Sequence, residues 1–309
     1  RTELRFSLDS EIVSLSGIDP TLTVLDWLRY HRARTGSKEG CAEGDCGACT
    51  VVVGRLDGGW LRYEAINACI RFLPTLDGCQ LLTVEHLKGP DGSLHPVQQA
   101  MVDRHGSQCG FCTPGFVMSL YGLWMTSENP GRAEIERALQ GNLCRCTGYE
   151  SIVKAAEQVA HVRPSALFDP LERERANIIA RLGELASRET ISLTGPDAVV
   201  PGSVEALAET LAAHPKATVV AGATDVGLWV TKQMRVLDPV IFINHLEDLQ
   251  KITVTPDGIM LGAGVSYTSA FEVLRKEIPA FGRLIERIGG QQVRNMGTIG
   301  GNIANGSPI

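Results

Sequence analysis

Nine cysteines occur in this chain of 309 residues, and all of them lie between Cys41 and Cys146. Three are set as Cys41-x4-Cys46-x2-Cys49, with Cys69 some twenty residues further on. That x4/x2 pattern is the plant-type ligand spacing of a [2Fe–2S] cluster. The intervening residues suit it. Gly40, Gly44 and Gly47 permit left-handed backbone, so the loop can curl around an inorganic core and turn its amides toward the sulfurs. A zinc site usually pairs Cys-x2-Cys knuckles instead.

The second set is Cys109-x2-Cys112 with Cys144-x-Cys146. Cys112 stands just before Pro114, which predicts a helix start there. A helix N-terminus lowers a thiol pKa and favours thiolate. Cys144 and Cys146 border a predicted helix end, with Gly148 just beyond. Taken alone, these four cysteines suit a structural zinc as well as a second cluster. Cys79 is left over and is expected to be a buried, unreactive thiol.

Composition excludes other classes. The net charge is −6, so no global basic field attracts nucleic acid or an anionic membrane. No apolar run reaches the roughly 18 residues a membrane span needs. The most apolar stretch, Phe116 to Met125, is broken by Ser119 and Gly122. The chain opens Arg-Thr-Glu-Leu-Arg, with no basic-then-apolar leader, and the absent initiator Met predicts a processed or trimmed N-terminus. Clustered thiols then point to the reducing cytoplasm, where they read as metal ligands or redox groups.

Periodicity divides the chain. Residues 1–87 read as a small mixed unit. Strands Arg5–Leu8 and Ile12–Leu15 flank a turn at Asp9-Ser10-Glu11. A helix over Thr21–Arg32 is capped by Asp19, and Asp57-Gly58-Gly59 forms a hairpin turn into Trp60–Tyr63. Residues 88–165 read as four short helices: Val97–Arg104, Pro114–Met125, Ala133–Leu139 and Ile152–His161. Residues 166–196 carry prolines and an Arg/Glu-rich stretch from Glu172 to Arg188, which predicts an interdomain linker holding one solvated helix. Residues 197–309 alternate strands and helices, with a strand at Thr218–Val220, a helix at Val226–Gln233 and a hairpin about Asp257-Gly258.

The residues around the cysteines are more specific than their spacing. Glu39 to Val51, reading EGCAEGDCGACTV, resembles the first iron–sulfur domain of the xanthine oxidase family of molybdenum hydroxylases. Gln108 to Gly115 and Gly141 to Tyr149 resemble the second, helical iron–sulfur domain of that family. The resemblance covers the first half of the chain. It implies that Cys41, Cys46, Cys49 and Cys69 hold one [2Fe–2S] cluster and that Cys109, Cys112, Cys144 and Cys146 hold another.

Two later segments carry it further. Val219-Val220-Ala221-Gly222-Ala223-Thr224-Asp225-Val226 runs from strand through a turn into a helix. Arg294 to Pro308 is dense in Gly, Thr, Asn and Ser, which suits a diphosphate. The Rossmann fingerprint is absent. Both segments resemble the family's FAD-binding domain. By that resemblance, FAD contacts fall on Val219 through Val226, then on Ile288, Gly289, Gly297, Thr298, Gly301, Asn302, Asn305 and Ser307. One departure is Gly222-Ala223, where the family often has Gly-Gly or Gly-Asn. Another is that the chain stops at Ile309, inside the second motif.

The fold so implied is multidomain α+β: a β-grasp plant-type ferredoxin domain, a four-helix [2Fe–2S] domain and an incomplete α+β FAD-binding domain of non-Rossmann type. The order of the three matches the xanthine dehydrogenase branch. The resemblance implies the small subunit of a bacterial-type enzyme. Its large partner would bear the molybdenum cofactor, two of each forming a heterotetramer. Electrons would leave hypoxanthine or xanthine at molybdenum and pass through two clusters to FAD and on to NAD, yielding urate. The Cys109 set would stand nearer molybdenum and the Cys41 set nearer flavin. No residue of this chain would act as acid–base catalyst on the purine. Two alternatives remain: a related hydroxylase of another N-heterocycle or an aldehyde, and a non-catalytic protein with structural zinc.

Overall fold

The computed structural model describes residues 1–89, 91–187, 189–193 and 197–307. Arg188 and Pro196 of the expected linker, and Pro308 and Ile309 of the second flavin segment, lie outside the described residues.

The N-terminal unit is a five-stranded sheet in the order β2-β1-β5-β3-β4. Strands β1 (Leu4–Leu8) and β2 (Glu11–Leu15) form a hairpin about Asp9, whose φ is +52°. The expected helix begins later than its apolar pattern predicts. Asp19 accepts from the Thr21 amide at 2.7 Å in a local turn, and Thr23 is the true cap, its Oγ1 accepting from Asp26 N at 3.1 Å. Helix α1 (Val24–Asp26) then widens into a π-turn, Trp27–His31. Strands β3 (Thr50–Asp57) and β4 (Trp60–Asn67) pair antiparallel across Gly58-Gly59, and both glycines have positive φ, as a two-residue hairpin loop needs. Strand β5 (Gln80–Leu82) lies parallel to β1 and antiparallel to β3.

The helical unit comprises α2 (Pro96–Asp103), α3 (Thr113–Thr126), α4 (Arg132–Leu139) and α5 (Glu150–Val159). Helix α3 is apolar on nearly every side, because it packs on β3 and β4 as well as on α2, α4 and α5. Val52, Ala65 and Tyr63 of the sheet therefore share one core with Phe116, Leu120 and Tyr121 of α3.

The stretch expected to be a linker is structured. Helix α6 (Pro170–Leu185) buries Leu171, Ile178, Leu182 and Leu185 and packs on β1 and β3. Its expected solvation holds for the charged face only, since four apolar residues at helical spacing form a stripe between the charges. Strands β6 (Ile191–Leu193) and β7 (Ala198–Val200) begin a second sheet of order β6-β7-β9-β8, with α7 (Val204–Ala213), β8 (Thr218–Val220), α8 (Val226–Thr231) and β9 (Val240–Phe242) following. A hairpin of β10 (Ile252–Thr255) and β11 (Gly258–Leu261) precedes α9 (Tyr267–Glu277), α10 (Pro279–Ile285), α11 (Gln291–Met296) and α12 (Ile299–Asn305). The core of the second sheet is continuous with that of the first: Phe72 meets Phe242 edge to face, with ring centres 6.3 Å apart.

Packing of α6 separates the two views of it. Leu182, 1% exposed, should cost about 3 kcal/mol when cut to Ala, whereas exposed Glu184→Ala should cost under about 0.5 kcal/mol. Equal, small losses in urea unfolding would restore the solvated helix.

Candidate metal centres and cofactor cavity

The first thiol set is built on a loop without regular structure between α1 and β3, closed by the turn after β4. Ala42, Gly44 and Gly47 take φ of +54°, +81° and +70°, which coil the chain so tightly that backbone amides point inward. The Asp45 and Cys46 amides donate to Cys41 Sγ at 3.4 and 3.3 Å. Asn67 Nδ2 donates to Cys49 Sγ at 3.9 Å. The four thiols form a chain of contacts: Cys46 with Cys41, Cys41 with Cys69, and Cys69 with Cys49. Hydrogen bonds from Cys46 and Cys69 hold the Cys41 thiol far below its usual pKa, and Cys41 pushes Cys69 up. Cys49 and Cys69 are buried, while Cys41 and Cys46 are partly exposed.

The second set spans two loops of the helical unit. Cys112 caps α3, and Cys144 and Cys146 lie between α4 and α5. The thiols meet in two pairs, Cys109 with Cys146 and Cys112 with Cys144. Cys144 Sγ also lies 3.2 Å from Thr147 Oγ1, and its amide donates to Tyr149 Oη at 2.9 Å. One expectation reverses here. Burial, and after it the neighbouring Cys144, push the Cys112 thiol up to about 12, opposite to the expected direction.

Donor chemistry and arrangement fit clusters. Among the described residues no group of three His, Cys, Asp or Glu is placed to hold a single metal ion. A tetrahedral zinc needs four donors around one point. Four thiols strung in a chain, as in the first set, or met two by two, as in the second, fit a two-iron core, in which each iron takes two of four cysteines.

The two thiol loops lock together through glycine. A Cβ on Gly47 would lie 2.1 Å from the Gly141 carbonyl, and one on Gly115 would lie 2.1 Å from the Gly47 carbonyl. The Leu143 amide donates to the Cys46 carbonyl at 2.9 Å, one residue from Cys144. Asn142 Nδ2 donates to the Gly47 carbonyl at 3.2 Å. Gln292 of α11 then reaches both units, its Nε2 donating to Thr50 Oγ1, Ser119 Oγ and Asn142 Oδ1 at 3.0, 3.1 and 2.9 Å.

Against the outer side of the Cys41 loop lies a cavity of about 710 Å³, large enough for a bulky cofactor. Fourteen of the sixteen residues expected to contact FAD line it: Val219, Ala221, Gly222, Ala223, Thr224, Asp225, Val226, Ile288, Gly289, Thr298, Gly301, Asn302, Asn305 and Ser307. Val220 and Gly297 do not. Val220 is fully buried in the sheet, and Gly297 packs under the Tyr267 ring. The two segments are pressed together at Gly222, where a Cβ would stand 1.9 Å from the Met296 carbonyl. Ser307 Oγ donates to the Asp225 carboxylate, tying their ends. Ala223 has a φ of +61°, so the family's Gly or Asn at this place answers a left-handed backbone that Ala adopts only with strain.

Sequence reasoning missed the wall opposite. Glu43, Gly44, Asp45 and Ile70 of the first unit line the same cavity, as do Trp229, Tyr267 and Val293. Thr231 Oγ1 donates to the Ala42 carbonyl at 2.8 Å, and Lys232 pairs with Glu43 at 3.5 Å, which fasten α8 to the thiol loop. No local signal in the sequence announces this contact, because it joins segments 189 residues apart.

Gly47→Ala tests the lock. It adds a Cβ both at positive φ and against a carbonyl, so it should destabilise the protein by about 3 kcal/mol in chemical denaturation. An unchanged midpoint would contradict the close approach.

Comparison with known proteins supplies the family. Residues 83–157 match the family described as a [2Fe–2S] binding domain, and residues 193–309 match the FAD binding domain in molybdopterin dehydrogenase. Xanthine dehydrogenase of Drosophila subobscura is 33% identical over 99% of this chain and 26% of its own length. Aldehyde oxidase 2 of Cavia porcellus is 30% identical over 97% of this chain and 27% of its own. Among solved structures, quinoline 2-oxidoreductase from Pseudomonas putida 86 is 30% identical, with 52% of this chain and 93% of that one covered and a TM-score of 0.44. The chain spans about a quarter of the length of the curated relatives it matches. Among the described residues no helix is long and apolar enough to cross a membrane. With its iron–sulfur and flavin-binding domains in one multidomain α+β chain, the protein belongs to the xanthine oxidase family of molybdenum hydroxylases.

Proposed function

We propose that this chain is the electron-transfer portion of a xanthine dehydrogenase, carrying reducing equivalents from a molybdenum-bearing partner to NAD. The observation that carries the proposal is the shared wall. Glu43, Gly44 and Asp45, from the loop of the first thiol set, face the same cavity as both expected flavin segments. In this reading Cys41, Cys46, Cys49 and Cys69 hold the cluster beside the flavin. Cys109, Cys112, Cys144 and Cys146 hold the cluster on the molybdenum side. The exposure of Cys109 and Cys146 supports that order, since a partner can cover them. When bound, each cluster supplies a one-electron carrier, and the flavin a group that takes electrons singly or in pairs.

The chain's own residues position these groups. The amides of Asp45 and Cys46 donate toward Cys41 Sγ and so stabilise negative charge there. The Leu143-to-Cys46 hydrogen bond fixes the spacing between the two thiol sets. Gly222 admits the Met296 carbonyl and so lets the two flavin segments close on each other beside the cavity. The partner is a large molybdenum-cofactor subunit in a two-plus-two cytoplasmic assembly. A second reading, with an aldehyde or another N-heterocycle as substrate, is favoured by the nearly equal identity to aldehyde oxidases.

Substrate choice resides in the partner, so the assembled enzyme decides between them: purine-dependent NAD reduction exceeding aldehyde-dependent reduction supports the first reading, and the reverse supports the second. The ligand assignment has its own test. Cys112→Ser in the full protein should remove one of two distinguishable [2Fe–2S] EPR signals and leave the other intact. Two undisturbed signals would refute it.

A further inference from the structure

A second cavity, of about 410 Å³, lies on the other side of the flavin segments, between the β3–β4 hairpin and the β10–α9 region. Arg71 lines it. This arginine is 7% exposed and makes no ion pair among the described residues. Its guanidinium donates to the Thr75 carbonyl at 3.2 Å, and its Nε is buried without a partner. Burial pushes its pKa down to about 10. A guanidinium kept charged in such a place calls for an anion.

The other cations of the lining have carboxylates of their own: Glu64 pairs with both Arg55 and Arg62, Asp57 also pairs with Arg62, and Asp248 pairs with Lys251, so Arg71 is the lining cation left without an ion pair among the described residues. Arg55 and Arg62 are oriented by one buried carboxylate, Glu64. Asn244 Nδ2 donates to the Thr75 carbonyl at 3.0 Å, which leaves its buried Oδ1 without a donor. Among the described residues no aromatic side chain lines the cavity, so nothing there would stack a nucleobase.

We propose that this cavity binds a phosphate-class oxyanion, free or carried on a small sugar phosphate, with Arg71 as its buried counter-charge and Lys251 at its rim. A hydroxyl of the ligand, on phosphate or sugar, satisfies Asn244 Oδ1. Ala221 and Thr298 line both cavities, so the occupant lies one layer of residues from the flavin segments. The assignment stands on these residues alone and does not depend on which substrate the enzyme takes.

Calorimetric titration of the full-length protein with inorganic phosphate, and separately with ribose 5-phosphate, in chloride-matched buffer tests it. Saturable one-to-one binding of at least one is expected, and the tighter ligand tells free phosphate from sugar phosphate. Arg71→Met should weaken binding about tenfold or more. Lys251, with its side chain 71% exposed, can be changed to Gln without disturbing the fold, and Lys251→Gln should weaken binding about threefold. Absence of saturable heat with both ligands overturns the proposal. So does an unchanged affinity in Lys251→Gln, which decides the matter if Arg71→Met does not fold.

Discussion

Gly47 is the point on which three segments close. Its left-handed backbone turns the end of the first thiol loop, its α-carbon faces the Gly141 carbonyl, and its own carbonyl meets Gly115 and the Asn142 amide. No side chain fits on Gly47 or Gly115 without displacing backbone. The result is a contact at van der Waals distance between two loops that each carry cysteines. Rigid contact of this kind fixes the separation of redox groups, because close-packed backbone has no soft mode through which that separation can drift.

The same loop faces outward as well. Its inner side gathers the sulfurs, and its outer side, at Glu43 to Asp45, walls the large cavity. Gln292 closes the circle by bonding from α11 to Thr50, Ser119 and Asn142, so that one buried amide touches all three regions of the chain. Gly290, two residues earlier, lies against Gly141. The flavin segments thus contact both thiol loops directly. A chain with these contacts behaves as one electron-carrying body rather than as domains on tethers.

Most of the local structure was legible in the sequence, and for definite reasons. The thiol spacings, the Gly58-Gly59 hairpin and the four helices after residue 95 are encoded by neighbours in sequence. Fourteen cavity residues were legible because two short segments carry them. What was missed depends on contacts distant in sequence. Helix α6 looks solvated by its charges, and only the sheet beneath it gives the stripe of Ile178, Leu182 and Leu185 something to pack on. The cap at Thr23 prevails over Asp19 because Asp19 is occupied by its own turn at Thr21. The rise of the Cys112 thiol follows from burial, which spacing does not reveal.

The central claim is that two sets of four thiolates hold two iron–sulfur clusters in one rigid chain. Iron, acid-labile sulfide and zinc in the purified full-length protein, read alongside its visible spectrum, test it most directly. The account predicts about four irons and about four sulfides per chain, with a coloured protein and no stoichiometric zinc. A colourless protein with about two zincs per chain would contradict it.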